Sequence, residues 1–189
     1  MRKINVLTYA LAVLALSACN VIEDIATIKI DVPDFTIDIP AIVAPPEPEP
    51  DDEEGSTQTE NELTSFSGSY TLSITELQFD ELYDYKNLIT DIKIERDTLT
   101  ITQDDLAAGI FKNISLKATD VNVNDCYISG YTFGKPYSSS GLTNFLKSTM
   151  FWLRNDSVTI SISGETNAPP GPLTVTIAVE GMQVWVKTR

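Results

Sequence analysis

Leu173-Thr174-Val175-Thr176-Ile177-Ala178-Val179-Glu180-Gly181-Met182-Gln183-Val184-Trp185-Val186 is the stretch on which the fold turns. Leu173, Val175, Ile177 and Val179 share one parity, and a period of two marks a strand with one face in a core. At Gly181 the parity slips, and Met182, Val184 and Val186 take over the inward face. One extra residue in an otherwise regular strand is the signature of a β-bulge. The stretch therefore predicts one long, bulged strand.

The same alternation recurs upstream. Val158, Ile160 and Ile162 mark a strand joined to the last one by the turn Ala168-Pro169-Pro170-Gly171-Pro172. Phe66, Tyr70, Leu72 and Ile74 share a face. Ile89 to Glu95 and Thr98 to Thr102 predict a hairpin turned at Arg96-Asp97, with Ile92, Ile94, Leu99 and Ile101 inward. Ile110 to Ala118 and Val121 to Ile128 read as further strands. Glu76 to Asn87 reads as a helical turn with a loop, and Gln103 to Gly109 as a single helical turn ending in glycine. The period then changes. Leu142, Phe145, Leu146, Thr149, Met150 and Leu153 fall on one face of an amphipathic helix, with Ser140 as its cap and Asn155-Asp156 as its end. Seven strands and one helix predict a mainly β domain, a β-sandwich or partly open barrel with the amphipathic helix over one end. Trp152 and Trp185 sit in apolar stretches and read as core.

Two pieces lie before this domain. Ile30-Asp31-Val32-Pro33 returns seven residues later as Ile37-Asp38-Ile39-Pro40. The alternation reads as two short strands, which the prolines stop or confine to a sheet edge. They either pack on the domain or add to the sheet of another protein; pairing within the chain is favoured because it needs no partner. Residues 45–62 differ in kind. Pro45-Pro46-Glu47-Pro48-Glu49-Pro50 runs into Asp51-Asp52-Glu53-Glu54, and the stretch holds eight acidic residues and no basic one. It has nothing to bury against its ordering entropy, so it is expected to be a disordered, extended linker that works as a stalk. The expected organisation is a leader at 1–18, an N-terminal segment with short strands at 19–44, the linker at 45–62 and the β-rich domain at 63–189.

The leader carries its own signature. Arg2 and Lys3 precede an apolar run from Ile4 to Leu16, closed by Leu16-Ser17-Ala18-Cys19. A basic start, a short apolar core and small residues before a cut make a secretory signal peptide, and the run falls short of the ~20 residues of a spanning helix. Leu16-Ser17-Ala18-Cys19 also resembles the lipobox of bacterial lipoproteins. That resemblance implies a diacylglyceryl group on the Cys19 thiol, cleavage just before it and acylation of the new amino group. Asn20 after the cysteine resembles lipoproteins sent on to the outer membrane. A lipid anchor and an interrupting helix both argue against a transmembrane strand barrel.

Composition removes several chemistries. Net charge is −14, so nucleic acid and anionic headgroups are poor partners. Beyond residue 62 the balance is 14 acidic to 10 basic residues, so the linker holds most of the acidity. No histidine is present, which excludes Ser-His-Asp and Cys-His nucleophiles and most zinc sites. With Cys19 lipidated, Cys126 has no disulfide partner and reads as a buried, inert thiol. Asp120-Val121-Asn122-Val123-Asn124-Asp125 resembles the opening of an EF-hand loop. Asp125 stands where glycine is needed and Tyr131 where glutamate is needed, so no metal is expected.

The remaining candidates are the aromatics of one loop, Tyr131, Phe133 and Tyr137, set among Gly130, Gly134 and serines. Such rings either plug the end of the sandwich or offer a face to a glycan or protein partner. No catalytic residue and no cofactor is expected. The sequence reads as an outer-membrane lipoprotein held to the membrane through Cys19, with a non-catalytic accessory, adhesive or binding role. The other reading is a small carboxylate-dependent enzyme acting on envelope or dietary polysaccharide.

Overall fold

The structure, a computed structural model, describes residues 27–45, 63–77, 80–119 and 121–187. The leader, Cys19, linker residues 46–62 and Asp120 lie outside them. Among the described residues there are ten strands in two sheets: β1 (Thr27–Val32), β2 (Phe35–Val43), β3 (Thr64–Ser73), β4 (Ile89–Lys93), β5 (Arg96–Thr102), β6 (Phe111–Thr119), β7 (Cys126–Ile128), β8 (Ser157–Thr166), β9 (Gly171–Glu180) and β10 (Met182–Lys187). Helix α1 spans Asp80–Tyr85 and helix α2 spans Ser140–Phe151. The fold is mainly β, as expected; it has two sheets, one of them a half-barrel, and fits a sandwich or partly open barrel.

The smaller sheet has the order β1-β10-β4 and the larger β5-β9-β2-β3-β8-β6-β7. Three chain runs cross from one to the other side by side: β1 into β2, β10 back into β9, and β4 into β5. Each changes parity as it crosses. Ile30 and Val32 point inward before Pro33-Asp34, then Ile37, Ile39, Ala41 and Val43 after it. Ile92 and Ile94 give way to Asp97, Leu99 and Ile101, and Leu173 to Val179 give way to Met182 to Val186.

This corrects two expectations. The slip at Gly181 is not a bulge within one strand but a corner between sheets. Gly181 has φ +61°, which favours glycine, and an added Cβ would lie 2.8 Å from Glu95 Oε2, so a side chain there is strained and would force Glu95 to shift. Its N–H donates to Asp34 Oδ1 at 2.9 Å, tying two of the crossings together. Likewise β4 and β5 do not form a hairpin. They pair with β10 and β9 respectively, because Ile94 and Asp97 both face inward and the chain bends rather than reverses.

β1 and β2 pair within the chain. β1 lies against β10 from Thr27↔Lys187 to Val32↔Met182. β2 lies against β9 over its full length and against β3 at Ala41, Ile42 and Val43. β2 is thus interior to its sheet rather than an edge. Pro40 is tolerated because pairing with β3 begins only at the next residue. There Gly68 permits a close approach: a Cβ would sit 2.2 Å from the Pro40 carbonyl oxygen.

Smaller departures have local causes. Residues 103–109 form a hydrogen-bonded turn, Leu106 N–H to the Gln103 carbonyl at 3.3 Å, with Asp105 at φ +62°, and not a helical turn. β7 covers only Cys126–Ile128 of the expected strand. The cap of α2 is Ser139, whose Oγ accepts from Leu142 N–H at 3.1 Å, one residue before the expected Ser140. Leu142, Phe145, Leu146, Thr149 and Met150 are its buried face, and it packs on β4, β5 and β7. Neither tryptophan is core. Trp185 has the outward parity of β10, and Trp152 is half-buried beneath the Arg154 guanidinium, 4.6 Å from its ring.

Candidate functional site

The larger sheet begins with β5 and ends with β7, and the loop after β7 returns to β5. Tyr137 and Leu99 exchange backbone hydrogen bonds, each 2.8 Å, in an isolated bridge along the outer side of β5. Two residues on, Ile101 N–H donates to the Tyr131 hydroxyl at 2.6 Å. The loop thus draws the two edges of the sheet together. Burial holds the Tyr131 phenol above its ordinary pKa, against the lowering pull of its bonds to Ile101 and Gly134.

Phe111, the first residue of β6, organises the rings at this end. It stands edge-on to Phe66 at 5.6 Å and to Tyr131 at 6.0 Å, and stacks on Phe133 at 5.4 Å with an interplanar angle of 7°. These separations fall in the range where aromatic pairs gain beyond their buried area. Gly164 leaves room for Phe66; a Cβ there would meet the ring at 2.6 Å. All three loop aromatics singled out in the sequence are half-buried against the core. Tyr131 and Tyr137 fasten the loop, and Phe133 forms part of a wall.

That wall belongs to a groove of about 680 Å³ between the start of β6 and the segment from β7 into the loop. Ile110, Phe111 and Lys112 line one side and Tyr127, Tyr131 and Phe133 the other. β7 pairs with β6 only from Ile114 onward, so the groove occupies the place its continuation would take. Tyr127 is 73% exposed and Ile110 40%. At the rim, Asn113 at φ +50° sits in a register shift and donates to Glu165 Oε2 at 2.7 Å. The lining holds no carboxylate and no thiol. Tyr127 and Phe111 could be found in the sequence only as strand residues; the short length of β7, which exposes them as a site, had no separate signal.

A second groove of about 450 Å³ lies between β4 and α2, lined by Asp91, Ile92, Lys147, Phe151 and Trp152 among others. Arg154 covers the Phe151 and Trp152 rings at 4.7 and 4.6 Å.

Under α2 lies a buried polar group that patterning alone did not single out. Asp97 is 2% exposed, and its Oδ1 has no hydrogen-bond partner among the described residues. Burial raises its pKa, opposed by a hydrogen bond from Thr143 and by the charge of Lys147. Cys126 is free, 3% exposed, and pushed up first by burial and then by Asp97, so it holds its proton. Among the described residues, no group of three or more Cys, Asp or Glu side chains is placed to hold a metal ion.

Comparison with protein-family models, with curated proteins and with solved structures finds no match for this chain.

Because the folded protein keeps Asp97 protonated to higher pH than the unfolded chain does, its ionisation opposes folding. The stability present at low pH is lost as pH rises through the ordinary carboxylate range towards the folded pKa. Asp97→Asn cannot ionise, so its denaturation midpoint should gain on that of the wild type as pH rises above the ordinary carboxylate range near about pH 4. A midpoint difference that does not change with pH would mean that the carboxyl titrates as if exposed.

Proposed function

We propose that the protein is a lipid-anchored, non-catalytic binding component of a bacterial outer membrane, held there through Cys19 and meeting a glycan at the groove beside Phe111. The anchor rests on Leu16-Ser17-Ala18-Cys19 and the basic, apolar leader before it. The observation that carries the binding role is the groove lining: exposed and half-buried rings interleaved with Lys112, Ser129 and Thr132, without a carboxylate. Rings of this kind take the apolar face of a sugar at little entropic cost, and the neighbouring hydroxyl, amide and ammonium groups suit its hydroxyls.

The rival reading, a carboxylate-dependent glycosidase, needs two carboxyl groups roughly 5 to 9.5 Å apart across a sugar. The larger groove offers none, and the smaller offers Asp91 alone.

Cys19→Ala should abolish metabolic labelling with palmitate and release the protein from the outer-membrane fraction; label retained on that variant would overturn the anchor. For the groove, electrophoresis through gels cast with envelope and dietary polysaccharides compares the wild type with Tyr127→Ala. Retardation by at least one polysaccharide, weakened by the substitution and without release of reducing sugar, is expected. Release of reducing sugar would instead support the enzyme.

A further inference from the structure

The chain leaves the larger sheet at Val43, the end of β2, and re-enters it at Thr64, the start of β3, with the acidic, proline-rich stretch between. Its two ends lie on neighbouring strands of one sheet: Val43 pairs with Phe66, and Ala44 N–H donates to the Ser65 carbonyl at 2.9 Å. A spacer must have its ends on separate bodies. Both ends of this stretch are on the same one, so its length cannot set the distance between an anchor and the sheets.

The tether that does set it is short. From Cys19 to Thr27, the first residue of β1, the chain spans at most about 28 Å even when fully extended. The start of β1 lies beside Lys187 at one end of the smaller sheet. From there the chain runs through β1, turns the corner at Pro33-Asp34 and continues along β2 to Val43. The nine residues of β2 alone carry it about 30 Å beyond the corner.

The groove belongs to that far end. Phe111 pairs with Thr166, and Thr166 with Thr64, the first residue of β3 after the acidic stretch. Tyr127, Ser115, Ser163, Ser67 and Ile42 likewise form one cross-strand row. Ile42, Ile110 and Tyr127, three of the most exposed large apolar side chains, therefore share the end that carries Val43.

We infer that the acidic stretch is not a stalk, and that the protein sits close to the membrane with the start of β1 towards the lipid and the groove end, from which the acidic stretch departs and to which it returns, facing away. This rests on the lipid-anchor reading. It also puts the points where the acidic stretch joins the sheets on the side away from a headgroup surface that would repel carboxylates wherever it is anionic.

Energy transfer to an acceptor-labelled lipid tests it. Lipidated full-length protein is bound to phosphatidylethanolamine–phosphatidylglycerol vesicles, with a donor dye at Lys187→Cys or at Lys112→Cys. Cys126 is buried and stays unlabelled in the native state. Transfer should be strong from position 187 and weak from position 112. Neither should change when residues 47–60 are deleted or, in a second variant, duplicated. Transfer that rises on deletion and falls on duplication would restore the stalk, and equal transfer from the two positions would overturn the orientation. A protein that does not float with the vesicles at all fails earlier, at the anchor, and overturns both readings.

Discussion

Three strands turn one corner together, and the rest of the fold depends on it. At that corner Gly181 holds a left-handed backbone against Glu95, its N–H is bound by Asp34, and Glu180 faces Arg96 across the strands at 3.7 Å. The ion pair is exposed and contributes little. The geometry contributes more. Because each crossing changes parity, the same three runs present apolar faces to the interior in both sheets, and Val179, Met182 and Val184 stay buried through the bend. One ribbon of three strands thereby supplies part of both layers.

At the other end the constraint is a shortage of strand. β7 is three residues long and cannot complete the barrel, so the loop that follows it closes the gap by bonding to β5 at Leu99 and Ile101. Phe111 fills the space behind it, with rings on several sides. The groove is what the closure leaves open. The aromatics at this end therefore have two duties: Tyr131 and Tyr137 hold the sheet edges together, while Tyr127 and part of Phe133 face outward.

Most of the core could be read from the sequence, because alternation reports burial directly; the exceptions are Trp152 and Trp185, read as core, and buried Asp97, read as part of a turn. The two layers could not. A change of parity at Gly181 has the same appearance whether a strand bulges or passes into a second sheet; only the pairing partners separate the cases. One clue was present in the repeat of Ile30-Asp31-Val32-Pro33 as Ile37-Asp38-Ile39-Pro40. Its spacing of seven is odd, so both isoleucines can face inward only if the chain changes parity between them. Trp185 held a similar clue, since it stands out of step with Val184 and Val186. Pro40 misled in the other direction. It suggested an edge because proline breaks a ladder, and here the break is local, on one side of an interior strand. The loop aromatics were legible as a cluster, but their partner Phe111 is distant in sequence and joins them only through the sheet order.

The central claim is that residues 27–43 are part of the same cooperative unit as everything after residue 63. Ile30, Val32, Ile37, Ile39 and Val43 are all at least nine-tenths buried. At about 1.5–3 kcal/mol for each fully covered side chain, their loss rivals the whole stability of a typical domain, about 5–15 kcal/mol. Urea denaturation of chains spanning 20–189 and 63–189, followed by tryptophan fluorescence, tests this most directly. The longer chain should unfold in one cooperative transition, and the shorter, with β9 and β10 stripped of a neighbour, should show none. Matching midpoints for the two would contradict the account.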